Sequence, residues 1–258
     1  MRALAVISFV SLAMGSAASA QAAKHASAHA HARTRHAAKH HVARRETAEF
    51  RHELEPHVAE RGQSLGLPWA GRLRDPAELP AGDGYVIRRP WRAFGTRTTV
   101  DLVEHAILDI RARFPDTHVL AIGDLSQKVG GAITEHHSHQ SGRDADIGLI
   151  YKEKPAGFPQ SFVTATATNL DCAATFALLA DFAETAKLDG GAQVIFLDYG
   201  VQGLLYHWAK DHGVDDDALV RLFEYPHRGQ SALVRHFPNH DNHMHVRFKC
   251  PAGDDGCR

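Results

Sequence analysis

The sequence has few cysteines, and acidic residues are missing from its first 45 positions. Three cysteines among 258 residues are too few for a fold built on disulfides. The first acidic residue is Glu46, so the charges are segregated. Residues 46–258 carry 22 Lys and Arg against 30 Asp and Glu, a net charge of -8. This acidity argues against a nucleic-acid partner, because nucleic-acid affinity depends on cations that neutralise phosphates.

Long apolar runs are also missing, and the one apolar stretch near the start is short. It runs from Ala3 to Met14, follows Arg2, and is too short to span a bilayer. Small residues follow and end in Ala18-Ser19-Ala20. This order predicts a signal peptide over residues 1–20, export to the periplasm, and no stable membrane insertion after cleavage. The alternative is a buried N-terminal helix, which the polar segment after it disfavours.

Residues 21–45 consist mainly of Ala, His, Lys, Arg, Ser and Thr. Residues 22–45 contain six basic residues and six histidines and no acid. This composition predicts a disordered tether, since little apolar surface is available to offset the entropy of ordering. The other interpretations are loose attachment to anionic surfaces and weak scavenging of metal ions.

Residues 46–258 read as a single α+β domain. Helical periodicity predicts helices over residues 99–114, 169–188, 202–211 and 215–223, and strands are expected over 118–123, 144–151, 193–199 and 242–248. Residues 62–84 are rich in Gly and Pro and read as a surface-wrapping segment. The alternating strands predict an antiparallel sheet flanked by helices, with a zinc-binding cleft on one sheet face.

Two short histidine runs stand out among the 20 histidines. His136-His137-Ser138-His139 precedes a strand that carries Asp144 and Asp146, and His240-Asp241-Asn242 precedes His243-Met244-His245. A catalytic zinc takes three protein ligands and leaves a fourth position for water. Gly142 permits a turn that brings His139 back beside Asp146.

His243 and His245 project from one strand face, so one can bind metal while the other stands over the bound water. The alternative is two unrelated polar patches. Ser138 and Ser141 lie near histidines, but no motif supports a serine nucleophile.

With these two runs, the sequence resembles the penicillin-insensitive murein endopeptidases. That family belongs to a zinc peptidase group with lysostaphin-type endopeptidases, D-Ala-D-Ala carboxypeptidases and hedgehog domains. The likeness extends over roughly residues 62–258 and includes Gly123-Asp124-Leu125-Ser126 and Gly130-Gly131. Two positions depart from the wider group: His137 replaces a common Ser or Thr, and Asp144 replaces Ala. Asp144 matches the murein endopeptidase branch.

The resemblance implies zinc ligands at His139, Asp146 and His245. His243 would be the general base, and His240 would assist at the transition state. His136 matches a further family histidine near the metal. From its strand position, Asp144 can orient a histidine ligand, or it is a solvated strand-end carboxylate.

The implied substrate is the peptide cross-link of peptidoglycan, between D-Ala and meso-diaminopimelate. Glu-x-x-His, which is usual in the carboxypeptidase branch, does not precede His245. Arg143, Arg247 and Lys128 are candidates to receive substrate carboxylates; the alternative for each is a solvated surface charge. The alternatives are a non-hydrolytic, zinc-stabilised wall-binding module, and metal storage by the histidine-rich arm.

The cysteines fit an exported protein. Cys250 and Cys257 close a short loop and form a reasonable disulfide in an oxidising compartment. Cys172 is left over and is expected to be a buried thiol.

Overall fold

The computed structural model describes residues 62–258, which all fall within one compact unit. The expected signal peptide and tether lie outside the described residues, as does the start of the expected domain at residue 46. None of the helices within residues 62–258 is long and apolar enough to cross a membrane.

A β-hairpin lies in the segment that was expected to wrap the surface. Strands β1 (Gln63–Leu67) and β2 (Ala70–Arg74) are antiparallel around a turn at Pro68 and Trp69. Strand β3 (Ala77–Glu78) pairs with β5 (Phe94–Gly95). The sequence did not predict these strands. Backbone pairing here tolerates glycines, and Gly66 adopts a φ of +75° next to the turn.

Four helices pack around the sheet. They are α1 (Arg97–Arg113), α2 (Cys172–Thr185), α3 (Tyr199–Asp211) and α4 (Asp216–Leu222). All four lie where periodicity predicts them. The Thr96 side chain caps α1 by accepting from Thr99 N at 3.1 Å, and Asp171 caps α2 by accepting from Ala174 N at 3.0 Å. Asp171 is therefore the N-cap of α2.

The main sheet has six strands. They are β4 (Tyr85–Ile87), β6 (Leu120–Ile122), β7 (Asp144–Gly148), β8 (Ala192–Leu197), β9 (Val234–His236) and β10 (His243–Phe248). Their order is β4-β6-β7-β10-β8-β9. The four central strands are antiparallel, as expected, whereas β4 pairs with β6 and β9 with β8 in parallel. The fold is α+β with a mixed sheet.

The two faces of this sheet differ in polarity. The apolar residues of the central strands alternate with polar ones and form a buried core, which includes Ala145, Ile147, Met244, Val246 and Phe248. Helix α1 contacts β7 and α2 contacts β8. The other face of β7 and β10 carries the acidic and histidine side chains.

The end of the chain folds back onto β1. Cys250 and Cys257 form the expected disulfide, with an S–S distance of 2.06 Å. Gly66 N donates to Gly256 O at 2.8 Å, so the bridged loop is tied to the hairpin. Cys172 is a free thiol at the start of α2 and is half-buried, less buried than expected.

Candidate metal centre

The register of β7 and β10 brings the two motifs together. His245 lies opposite Asp146, and Arg247 lies opposite Asp144. His243 lies opposite Gly148, where no side chain covers the imidazole from β7. Because side chains alternate along each strand, these polar groups share one face of the sheet.

His139 reaches the same point from the loop before β7. Its backbone adopts a φ of +63°, and Gly142 follows with a φ of +73°. Its own N–H donates to Asp144 Oδ2 at 2.9 Å, which fixes the loop against the strand. The ring Nδ1–H donates to Leu125 O at 2.8 Å. The other ring nitrogen, Nε2, then faces Asp146 and is free to bind a cation.

Two imidazole nitrogens lie close to one carboxylate oxygen. Asp146 Oδ1 lies 3.3 Å from His139 Nε2 and 3.5 Å from His245 Nδ1. In a tetrahedral zinc site, ligand bonds of about 2.0–2.1 Å place neighbouring ligand atoms about 3.3 Å apart. His139 Nε2 and Asp146 Oδ1 are buried yet make no hydrogen bond within the described chain. Buried polar atoms seldom lack partners, so this arrangement fits a metal ion.

Second partners fix the tautomers of the two histidines. His245 Nε2–H donates to Asp144 Oδ1 at 2.9 Å, which leaves Nδ1 facing Asp146. Asp144 is buried and is therefore not a solvated strand-end carboxylate. It also accepts from Arg247 Nε at 2.7 Å. Such partners of ligating histidines are common in metal sites.

A second grouping involves His136. Ligand atoms of His136, His139 and Asp146 lie within 4.8 Å of one another, as do those of Asp124, Glu135 and His136. However, His136 Nε2 lies 2.9 Å from Asp124 Oδ2 and donates to it. That oxygen also binds Arg89 and Arg92 at 2.8 and 2.7 Å. These cations disfavour a metal at Asp124, and the engaged His136 nitrogen is a weaker ligand than His245 Nδ1.

The charges at the centre favour a cation. Burial would raise the pKa of Asp146, but His139 and His243 hold it well below its ordinary value. The pKa of Asp144 is likewise lowered, against burial, by His245, His139 and Arg247. Burial opposes charge on His139, yet Asp146 and Asp144 outweigh it and raise its pKa to about 9. A bound divalent cation would replace this proton, because metal ligands bind in their deprotonated form.

His243 is placed next to the three ligand atoms. Its Nδ1–H donates to Asn242 Oδ1 at 2.6 Å, and its Nε2 lies 3.7 Å from Asp146 Oδ1. Burial, more than the neighbouring imidazoles, lowers its pKa to about 4. At neutral pH its Nε2 therefore carries a lone pair, which is the form that a general base needs.

His240 lies beside His243, with ring centroids 4.7 Å apart. Its Nδ1–H donates to Pro238 O at 2.9 Å, so its Nε2 is free. The rings of Phe196 and Phe237 pack against the His240 ring, with centroid distances of 6.3 and 5.3 Å. The side chains of His136, His139, Asp146, His243 and His245 thus lie close to one another, with His240 beside His243.

Two of the three cations expected to meet substrate are already bound within the protein. Arg143 is buried and donates to Phe248 O and Arg258 O at 2.9 and 2.6 Å. Arg247 pairs with Asp144 between the rings of Trp69 and Phe196. That expectation was therefore wrong for Arg143, whose three guanidinium nitrogens are all engaged within the protein, whereas Arg247 uses only its Nε for Asp144. Lys128 is exposed.

Sequence reasoning missed two residues beside His243. The Phe162 ring stacks on its imidazole, with centroids 4.7 Å apart and planes at 11°. The Arg88 guanidinium lies 4.2 Å above the other side of that ring. No periodicity marks Phe162, which comes from an irregular loop. The sequence feature that reflects the position of Phe162 is a pair of glycines. A Cβ at Gly123 or Gly148 would lie 2.8 or 3.2 Å from the Phe162 ring, so both positions leave room for it.

Comparisons with known proteins give a consistent picture. The family described as penicillin-insensitive murein endopeptidase matches residues 64–173, which include His139 and Asp146 but not β10. The penicillin-insensitive murein endopeptidase of Pectobacterium atrosepticum is 29% identical over 217 residues, covering 80% of this chain and 71% of that protein. Its namesake in Haemophilus influenzae is 28% identical over 200 residues, covering 69% of this chain and 60% of that protein.

Proposed function

We propose that this chain is a member of the penicillin-insensitive murein endopeptidase family and that it is an exported, zinc-dependent endopeptidase; the match over residues 64–173 and the two similar proteins support this. Its substrate is the peptide cross-link of peptidoglycan, cut between D-Ala and meso-diaminopimelate. The observation that carries this proposal is the closeness of His139 Nε2 and His245 Nδ1 to Asp146 Oδ1, two of these three atoms being buried without hydrogen bonds within the described chain.

These three side chains would hold the metal. Two neutral imidazoles and one carboxylate form a ligand set that suits Zn²⁺, and three protein ligands leave one position open. When bound, Zn²⁺ supplies a Lewis acid for the scissile carbonyl and lowers the pKa of water from 15.7 towards about 7. Asp144 and the Leu125 carbonyl orient the two imidazoles through their second nitrogens.

His243 handles the proton. Its Nε2 is unprotonated at neutral pH and accepts the proton from the attacking water, and then it delivers that proton to the leaving amine. Asn242 holds the opposite nitrogen, so the ring stays in one tautomer. His240 Nε2, when protonated, hydrogen-bonds the developing oxyanion. Burial lowers the pKa of His240, so this step requires proton uptake with the substrate.

Export is part of this proposal. Residues 1–20 would serve as a signal peptide and residues 21–45 as a tether, and the enzyme would work in the periplasm. The Cys250–Cys257 disulfide supports an oxidising compartment.

Digestion of purified cross-linked muropeptide dimers tests the function. With zinc, the wild-type protein should convert dimers to monomers, and mass spectrometry should locate the cut at the D-Ala carbonyl. His243→Ala should keep the metal and lose the cleavage. If folded, zinc-loaded wild-type protein leaves the dimers intact, the endopeptidase proposal fails. Retained wall binding in that sample would then favour the non-hydrolytic module.

A further inference from the structure

Arg88 lies next to the candidate metal centre and has no acidic partner within residues 62–258. Its neighbours are compensated: Arg89 pairs with Asp124 and Glu135, each at 2.8 Å, and Arg92 pairs with Asp124 at 2.7 Å. Within residues 62–258, no carboxylate oxygen lies within 4.0 Å of an Arg88 guanidinium nitrogen. Its hydrogen bond runs from Nε to Gln160 O at 3.0 Å, which leaves the two terminal nitrogens for another acceptor.

The guanidinium of Arg88 is held at a defined position relative to the site. It lies 4.2 Å from the centroid of the Phe162 ring, which in turn stacks on His243. Gly123 and Gly148 provide the space that this ring occupies. One aromatic ring therefore separates Arg88 from the side chain that is proposed to deliver a proton to the leaving amine.

The electrostatic surroundings of Arg88 favour an anion. Its side chain is half-buried. Burial and the adjacent charge of Arg89 both lower its pKa, and Asp124, Asp146 and Glu135 only partly offset them. A guanidinium presents planar paired donors that match a carboxylate, so a carboxylate is the ligand that would best compensate this charge.

We propose that Arg88 binds a substrate carboxylate and so determines specificity on the leaving-group side. This proposal rests on the function proposed above. In the D-Ala to diaminopimelate cross-link, the carbon that carries the leaving amine also carries a free carboxylate. His243 delivers its proton to that amine, and the carboxylate beside it lies on the side of the site that Phe162 and Arg88 form.

Two substrates that differ in one group test the proposal. One is a cross-linked dimer with this carboxylate free, and the other is the same dimer with the carboxylate converted to a primary amide. The zinc-loaded full-length chain should cut the free acid with a kcat/KM about tenfold or more higher, as expected for a charge-assisted hydrogen bond. Arg88→Gln should cut both dimers with similar kcat/KM, near that of the wild type on the amide.

Two further variants separate the role of Arg88 from general effects of charge and folding. Arg88→Lys keeps the charge and should retain part of the preference. Lys187→Gln removes the same charge from an exposed position and should keep the full preference. The proposal is overturned if Arg88→Gln still prefers the free acid, or if it slows both dimers by the same factor.

If the wild type cuts neither dimer, calorimetric measurement of dimer binding still tests the role of Arg88. Failure to cut either dimer rejects the endopeptidase proposal. Weaker binding of the free acid, but not of the amide, to Arg88→Gln would still support a carboxylate site. Equal binding of both dimers to the wild type and Arg88→Gln would overturn it.

Discussion

Asp144 accepts a hydrogen bond from His245 Nε2 at 2.9 Å across the β7–β10 pair, and its second oxygen accepts from His139 N. One buried carboxylate therefore orients both histidines of the candidate metal centre. It contacts each histidine through an atom other than the proposed ligand atom. The position of His139, on a loop, thus depends on the same strand residue as the position of His245.

The first prediction concerns this carboxylate. Asp144→Asn should weaken zinc binding by about 10- to 100-fold, because the lost charge no longer polarises and orients His245. Competition with a chromophoric chelator measures the affinity. Asp189→Asn removes a charge from an exposed position and should bind zinc like the wild type. Unchanged affinity in Asp144→Asn would show that His245 keeps its orientation without this partner.

The second prediction concerns the ring beside the general base. Phe162→Leu removes the flat surface on which His243 stacks, and small displacements of catalytic groups are costly. We expect kcat to fall about tenfold or more while KM and zinc content change little. Phe162→Tyr keeps the stack and should restore kcat. Steady-state kinetics on muropeptide dimers checks this, and equal loss in Phe162→Tyr and Phe162→Leu would argue against a positioning role.

The third prediction concerns the disulfide. It closes a short loop, with a sequence separation of 7, and such a cross-link contributes about 2–3 kcal/mol in the loop-entropy model. Replacing both Cys250 and Cys257 with Ser should lower Tm by about 5–10 °C in a domain of this size. Cys172→Ser serves as the control and should leave Tm nearly unchanged. A double variant that melts like the wild type would show that the tie of residues 251–258 to β1 suffices alone.

The fourth prediction concerns pH and the contact between α1 and α2. Burial, with Asp109 nearby and despite Arg113, raises the pKa of Asp181 from 3.8 to about 8. The folded state thus binds more protons than the unfolded state between these values, and this group's contribution to stability is lost progressively as pH rises from 3.8 to about 8. Asp181→Asn, which resembles the protonated acid, should melt about 2–4 °C above the wild type at pH 8.5.

The same comparison at pH 5.5 checks the pH dependence for Asp181. There the folded carboxyl is protonated while the unfolded one is already ionised, so the wild type should still melt below Asp181→Asn, but by a smaller margin than at pH 8.5. Calorimetry at both pH values measures the difference. A variant destabilised equally at both would show that the Arg113–Asp181 ion pair outweighs the cost of burial.

Much of the site could be predicted from the sequence because the strands alternate. The period-two pattern of β7 places Asp144 and Asp146 on one side of that strand, and the pattern of β10 does the same for His243 and His245. The alternation alone does not show that the two pairs share a face of the sheet. The register between β7 and β10 shows that they do. Turn chemistry at Gly142 predicted the return of His139, since glycine accepts the positive φ that this turn requires.

The parts that were missed depend on contacts between distant segments. Phe162 and Arg88 join the site through ring stacking, which leaves no periodic signal in the chain. Arg143 seemed available to substrate, yet it is buried against the chain end. The parallel outer strands β4 and β9 are three residues each, too short to produce a recognisable pattern.

Anomalous X-ray scattering at the zinc edge, from crystals of the full-length zinc-loaded protein, tests the central claim most directly. We predict one peak per chain, within bonding distance of His139 Nε2, Asp146 Oδ1 and His245 Nδ1. A peak at Asp124, Glu135 and His136, or no peak in a folded protein with excess zinc, would contradict the account.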